Sequence, residues 1–467
     1  MFKVLLATLL LAAASLAGAA PAVLAPSRFN DTSLVDAAPL GTRTPLLLVH
    51  GLGGGNEGWE NFLRAYEQNA SWRATFKPYS FIYSTAASEV LQDPAAPRTI
   101  SAVGAALRAQ MQLFYGKPQA APDYGFGNKR VVILAHSMGG LVARAMMQEQ
   151  VFADGQRGGD KVLHLITLAT PHHGTPLADV AVKLGLQTVA EISDTWPGFI
   201  SGSAWTNYDG LDLASPACNG WLATLNNYAP LNGAVLGKCG AVTGVPLPGF
   251  YEKIVAYGAR DLQSPDLAIS FGAFKPGSSA SLVPSYSYLH DSLPRSYGND
   301  AVVPLASAQF EGAPVFRRAQ AYACDHRYIR RGYQQAVIIW KGSYDEWAFC
   351  QATPGDAAYT SGSGSGYAVS GSIFGAPGGI IDTIKAATQA ERVMDWAEMA
   401  FAAALRAPSA PVTSIGMGFY YRYYTTSNAY VGVKDGVVFY MGPASGQQLV
   451  GVATLASLLA SAQAAGY

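Results

Sequence analysis

The chain has 467 residues, half of them hydrophobic, and its 31 Lys plus Arg balance its 31 Asp plus Glu. That balance argues against nucleic acid or an acidic surface as the main partner. Only 13% of residues are charged, against about 25% in ordinary soluble domains, and the length predicts one large domain with accessory segments.

Met1-Phe2-Lys3, the Leu- and Ala-rich run Val4 to Leu16, and the small residues Ala17-Gly18-Ala19 have the layout of a signal peptide over residues 1–19. The apolar run is too short to span a membrane, and no later segment reaches that length. No cysteine near the cleavage point offers a lipid anchor. An exported chain, extracellular or periplasmic, is expected.

Pro45 to Val49 reads as a buried strand ending at His50-Gly51-Leu52-Gly53-Gly54-Gly55. Trp59 to Tyr66 has helical spacing, Tyr79 to Ser84 alternates like a strand, and Ile100 to Phe114 repeats at helical period. The β-branched run Val131-Val132-Ile133-Leu134 leads into Ala135-His136-Ser137-Met138-Gly139, and a helical pattern follows. A further strand is expected over Leu163 to Leu168. Strands alternating with helices predict a mostly parallel sheet covered on both faces, with ligands at the carboxyl ends of its strands.

Between Pro176 and Pro246 this rhythm lapses, and Trp196, Phe199, Trp205 and Trp221 stand among Gly, Ser, Asn and Asp. The stretch 176–246 reads as a lid or cap insertion. A strand returns over Lys253 to Tyr257. Residues 359–379 form a flexible Ser/Gly-rich excursion, and Ile380 to Leu405 a long helix. The catalytic domain is therefore placed at 20–408. From 412 to 467 the texture changes. Phe419 to Tyr424, Tyr430 to Val433 and Val437 to Met441 read as strands, the last two joined across Lys434-Asp435-Gly436, and Leu455 to Ala464 as a closing helix. A small, separate C-terminal β-sheet module is expected, with one aromatic face filling its own core and the other open to an apolar surface.

The four cysteines, Cys218, Cys239, Cys324 and Cys350, suit an oxidising compartment. Sequential pairing, Cys218–Cys239 and Cys324–Cys350, closes the short loops of 21 and 26 positions.

A serine on a sharp strand-to-helix turn has its hydroxyl lifted out of the sheet, and the next amide, that of Met138, points at the reacting carbonyl. A nucleophilic serine also needs a base, an acid to orient it, and a second oxyanion donor. In this kind of sheet the order is Ser, acid, His. Of the 7 histidines only His290 and His326 lie far enough downstream. Asp300, in a turn before Ala301-Val302-Val303, pairs with His326. Asp261 or Asp266 would instead allow His290. The second oxyanion donor falls on the amide of Leu52, in the loop after the first strand. His172-His173 lack a third ligand at regular spacing and read as pocket-wall residues rather than a metal site.

Val49-His50-Gly51-Leu52, Ala135-His136-Ser137-Met138-Gly139-Gly140, Thr170-Pro171-His172-His173-Gly174-Thr175 and Asn299-Asp300-Ala301-Val302-Val303 resemble, in order, the motifs of secreted bacterial lipases of the α/β-hydrolase superfamily. The resemblance spans roughly residues 45 to 330. It implies Ser137 as nucleophile, Asp300 as acid, His326 as base, Leu52 and Met138 as oxyanion donors, and a mobile lid. It also implies an apolar ester substrate, met at an interface in the case of lipids. No cofactor is required. The calcium that many such lipases bind through an aspartate just after the base finds no carboxylate in Arg327-Tyr328-Ile329-Arg330-Arg331. Triacylglycerol lipase is the leading expectation. Extracellular polyester depolymerases share the triad and its order, and a non-catalytic surface-binding protein is the alternative of another class.

Overall fold

The computed structural model describes residues 23–26, 38–52, 56–83, 99–120, 124–175, 178, 220–226, 247–260, 298–300, 302–322, 325–326, 328–331, 333–339, 342–352, 367–368, 371–400, 413–414, 420–424, 429–434, 437–441 and 450–454. Seven strands form the main sheet: β1 (Val23–Pro26), β2 (Thr44–Val49), β3 (Phe76–Ile82), β4 (Val131–His136), β5 (Val162–Leu168), β6 (Ile254–Arg260) and β7 (Arg317–Tyr322). Their spatial order is β1-β3-β2-β4-β5-β6-β7. β1 runs antiparallel to β3, and every other pairing in this sheet is parallel.

Period-two alternation divides the core. Leu47 and Val49 of β2 join Ile133 and Ala135 of β4 on one side of the sheet. Leu46 and Leu48 join Val132 and Leu134 on the other. Both faces are thus dry, and the parallel strands read as unbroken apolar runs for that reason. The first side is covered by α3 (Ile100–Tyr115) and α4 (Met138–Glu149). The second is covered by α1 (Glu60–Gln68), preceded by a 3-10 turn over Asn56–Trp59, by α2 (Ala70–Thr75), and by the start of α8 (Ile380–Ala400). Thr44 and Thr388 share a hydroxyl hydrogen bond of 2.7 Å, and Arg130 pairs with Glu391 at 3.0 Å, fixing α8 to the strand beginnings.

The chain leaves β2 for β3 on one side and then crosses to β4 on the other. At that reversal the loops after β2 and β4 stand side by side, the usual place for a ligand in such sheets.

Four short helices complete the described part: α5 (Gly220–Leu225), α6 (Leu305–Ala308), α7 (Tyr328–Arg331) and, already placed, α2. α5 falls inside the expected lid, of which little else is described. Strand β3 begins at Phe76, three residues before the sequence suggested, because Lys77 and Pro78 disguise it. Lys77 is fully buried with its Nζ bonded to the Ala38 carbonyl at 2.7 Å. Pro78 falls beyond the β1 pairing, where β3 is an edge and a missing N–H is tolerated.

β8 (Tyr333–Ile339) and β9 (Gly342–Ala348), an antiparallel pair with β10 (Tyr367–Ala368) beside it, were not anticipated. Of the 359–379 excursion, the part from 371 onward turns into the core, with Ile373 and Phe374 fully buried. A separate antiparallel sheet comprises β11 (Thr413–Ser414), β12 (Tyr420–Tyr424), β13 (Ala429–Lys434), β14 (Val437–Met441) and β15 (Val450–Thr454). The last two expected strands pair as a hairpin, Lys434 opposite Val437. The helix expected over Leu455 to Ala464 lies outside the described residues, as do the signal peptide and Phe419.

Candidate active site

Ser137 sits between β4 and α4 with φ 53° and ψ −132°, a conformation that L-residues avoid and that costs of order 1–3 kcal/mol. The turn is held from three sides. Its amide donates to the Leu168 carbonyl at 2.9 Å, and its carbonyl accepts from the Gly140 amide at 3.0 Å and the Thr170 hydroxyl at 2.9 Å. Close approach explains the flanking glycines. A Cβ on Gly51 would lie 2.7 Å from the Ser137 Cβ, and one on Gly139 would strike the His50 carbonyl oxygen. The loop after β2 therefore rests directly on the nucleophile-type turn.

The acid and base expected from the sequence meet there. His326 Nδ1 lies 2.8 Å from Asp300 Oδ2, and His326 Nε2 lies 2.8 Å from Ser137 Oγ. The carboxylate can only accept, so Nδ1 carries the proton and Nε2 is free to accept from the serine hydroxyl. Asp300 is fully buried. Its other oxygen, Oδ1, accepts from the amides of Val302 at 2.9 Å and Val303 at 2.6 Å. Those two bonds fix the carboxylate plane and compensate its burial. Thr175 braces the same turn by donating to the Val302 carbonyl at 2.6 Å. Asp261, Asp266 and His290, the alternative pairing, lie outside the described residues.

Met138 opens α4, where a helix amide has no partner within the helix. Leu52 is half-buried in the loop that touches Ser137. That loop is fastened by His50. Its ring stacks on Tyr83 at 4.2 Å between centroids, and the Tyr83 hydroxyl donates to the His50 carbonyl at 2.7 Å. His50 Nδ1 donates to the Gly51 carbonyl at 2.9 Å and its Nε2 accepts from the Tyr83 amide at 3.4 Å, so the ring is neutral. Burial pushes its pKa down to about 4.

A second polar cluster lies behind the nucleophile helix. Arg144 is fully buried on α4; it contacts His172 Nδ1 at 3.3 Å and donates to the Leu225 carbonyl at 2.8 Å. Gln148 donates to that same carbonyl at 2.8 Å, and Asn226 to the His172 carbonyl at 2.8 Å. His172 lies flat on Phe310, centroids 4.5 Å apart. Burial, reinforced by the Arg144 charge, holds the His172 pKa well below its usual value, and burial alone is the main cause that brings His173 to about 4. Burial likewise lowers Arg144 to about 9. His172 and His173 thus pack against Phe310 and hydrogen-bond to their surroundings.

The calcium position suggested by the lipase resemblance is also unsupported by its residues. Tyr328–Arg331 brings two arginines, and Asp325 Oδ1 is occupied in capping that turn through the Tyr328 amide at 3.0 Å. Cys350 is buried, and no free cysteine stands among the described residues. Cys218, Cys239 and Cys324 lie outside them.

Residues Tyr83, His136, Arg144 and Thr175 escaped the reading of the sequence. His136 and Thr175 stand inside quoted motifs, but only the fold shows what their side chains reach.

The model of the PGAP1-like alpha/beta domain matches residues 41–197. That match takes in the β2 loop and Ser137 and ends before Asp300 and His326. No curated protein matches the chain. Among solved structures, the chain is similar to Bacillus licheniformis lipase BlEst2 in mature form, with 17% identity, TM-score 0.40, and 66% of this chain and 92% of that one covered. It is also similar to phospholipase PlaB from Legionella pneumophila, with 16% identity, TM-score 0.31, and 50% and 43% covered. For EstA from Clostridium botulinum the values are 14% identity, TM-score 0.30, and 66% and 88% covered. No described helix is long and apolar enough to cross a membrane. The parallel strand order and the strained serine turn give this chain an α/β architecture with a serine at its strand-to-helix turn, and residues 41–197 of it match the PGAP1-like alpha/beta domain.

Proposed function

We propose that the chain is an exported serine carboxylester hydrolase acting on acylglycerols, with Ser137, His326 and Asp300 as its triad. The observation that carries this reading is the position of His326, 2.8 Å from both the Ser137 hydroxyl and the Asp300 carboxylate. Ser137 Oγ attacks the ester carbonyl carbon while His326 Nε2 takes its proton. The amides of Leu52 and Met138 hold the oxyanion, and Asp300 stabilises the imidazolium through Nδ1. Collapse expels the alcohol, which takes the proton from Nε2. Water, deprotonated by the same nitrogen, then attacks the acyl-enzyme, releasing the carboxylic acid and restoring the serine.

Export rests on the leader at residues 1–19, and a Cys324–Cys350 disulfide would suit that compartment. The antiparallel bridge between Tyr322 and Gln351 brings the two flanking stretches together. The triad and its order are shared with polyester depolymerases, and the aromatic stretch 176–246, suited to covering a lipid site, supports the acylglycerol reading.

Ser137→Ala should abolish hydrolysis of p-nitrophenyl butyrate and labelling by a fluorophosphonate, with an unchanged circular dichroism spectrum. Full retained activity would falsify the assignment. Comparing triolein with a polyhydroxyalkanoate film then decides between lipase and depolymerase; turnover of the film alone rejects the acylglycerol reading.

A further inference from the structure

His136 takes no part in the reaction above, yet its side chain reaches the main chain of the base. Its Nε2 lies 2.7 Å from the carbonyl oxygen of His326. A carbonyl oxygen only accepts, so Nε2 bears the proton and Nδ1 is bare. The ring is 5% exposed, and Nδ1 has no hydrogen-bond partner among the described residues. Among the described residues its one polar commitment is therefore to His326. The two rings stand 4.9 Å apart at 50°, so they do not stack. Burial, with the Arg330 charge nearby, holds the His136 pKa well below the usual value and keeps the ring neutral.

The position of this bond matters more than its strength. His136 is the last residue of β4 and directly precedes Ser137. Apart from the His136 bond and the Nε2 contact with Ser137, His326 is bonded among the described residues only to Asp300, through its amide to the Asp300 carbonyl at 2.9 Å and its Nδ1 to the carboxylate. Both of those bonds tie the base to the acid. Among the described residues, only the His136 bond ties its main chain to the strand that carries Ser137.

We infer that His136 is a positioning residue: its Nε2–H fixes the His326 main chain to the end of β4 and so sets the 2.8 Å separation of His326 Nε2 from Ser137 Oγ. The inference rests on the triad proposed above. A misplacement of about 1 Å at a reacting pair can cost on the order of 100-fold in rate, so a modest bond can carry a large kinetic effect.

The test compares His136→Leu, His136→Gln and His136→Asn. The amide nitrogen of Gln reaches about as far from the backbone as Nε2, whereas that of Asn matches Nδ1. Active sites are titrated with a fluorophosphonate, and kcat per titrated site and KM are measured with p-nitrophenyl butyrate. The Leu variant should lose about 10- to 100-fold in kcat per site with KM within about twofold. Gln should recover to within about threefold of the parent, and Asn should remain impaired. A side chain that merely fills the core would lower the melting temperature and the titratable fraction and leave kcat per site unchanged. That result, or Gln performing no better than Asn, overturns the inference. If the Leu variant does not fold, the Gln–Asn contrast alone decides. Failure of the triad reading is separately visible, as a parent protein that neither hydrolyses the ester nor labels at Ser137.

Discussion

His326 and His172 occupy the same end of the same sheet, and chemistry separates them. His326 faces a carboxylate on one nitrogen and a serine hydroxyl on the other, with its side chain 11% exposed. His172 is fully buried, faces a guanidinium on one nitrogen and the Thr167 hydroxyl on the other, and lies against a phenyl ring. A nearby carboxylate favours the imidazolium that proton transfer requires, and a nearby cation forbids it. Burial alone does not make a general base. The partner on the far nitrogen and access to a substrate do.

The strongest way to break this contrast is to remove the carboxylate. Asp300→Asn should lower kcat by about 10³- to 10⁴-fold, because the amide no longer favours the Nδ1–H tautomer or the imidazolium. Steady-state kinetics on p-nitrophenyl butyrate measures it, and a loss under tenfold would deny Asp300 its role.

The neutral histidines give a second, smaller signature. Burial brings His50, His173 and His164, the last on β5, to folded-state pKa values of about 4, below the ordinary unfolded value of 6.5. Between those limits the unfolded chain binds more protons than the folded one, so stability is intact above pH 6.5 and falls as the pH drops towards 4. The slope is about 1.4 kcal/mol per pH unit for each such histidine. Urea unfolding at pH 7, 6, 5 and 4 follows it, and a flat midpoint over that range would show that these rings are not held neutral.

The smallest expected effect sharpens the comparison at the oxyanion loop. Tyr83→Phe removes the donor to the His50 carbonyl while keeping the ring stack. It should cost about 1 kcal/mol, seen as a severalfold drop in kcat with KM little changed. A change in KM alone would place Tyr83 in substrate binding.

Local patterns carried the readings that held. The apolar run into Ser137, the small residues around it and the helical spacing after it are properties of about twenty consecutive residues, and the strand–turn–helix appeared as expected. Elements whose residues disguise their environment were misplaced or passed over. Buried Lys77 and edge Pro78 hid the start of β3, and β8 and β9 went unread.

The sequence by itself determined the class of sheet, the nucleophile turn and the order in which its partners should come, because each depends on side-chain size and periodicity along the chain. It left Asp261 or Asp266 with His290 as an alternative to Asp300 with His326. Tertiary structure decided that Asp300 and His326 converge on Ser137, 163 and 189 residues away in sequence, through the closure of separate loops over one strand end. It alone revealed the His136 bond to the His326 main chain and the burial of His172 between Arg144 and Phe310, since a side chain's partner across the fold is a matter of geometry that no local spacing encodes.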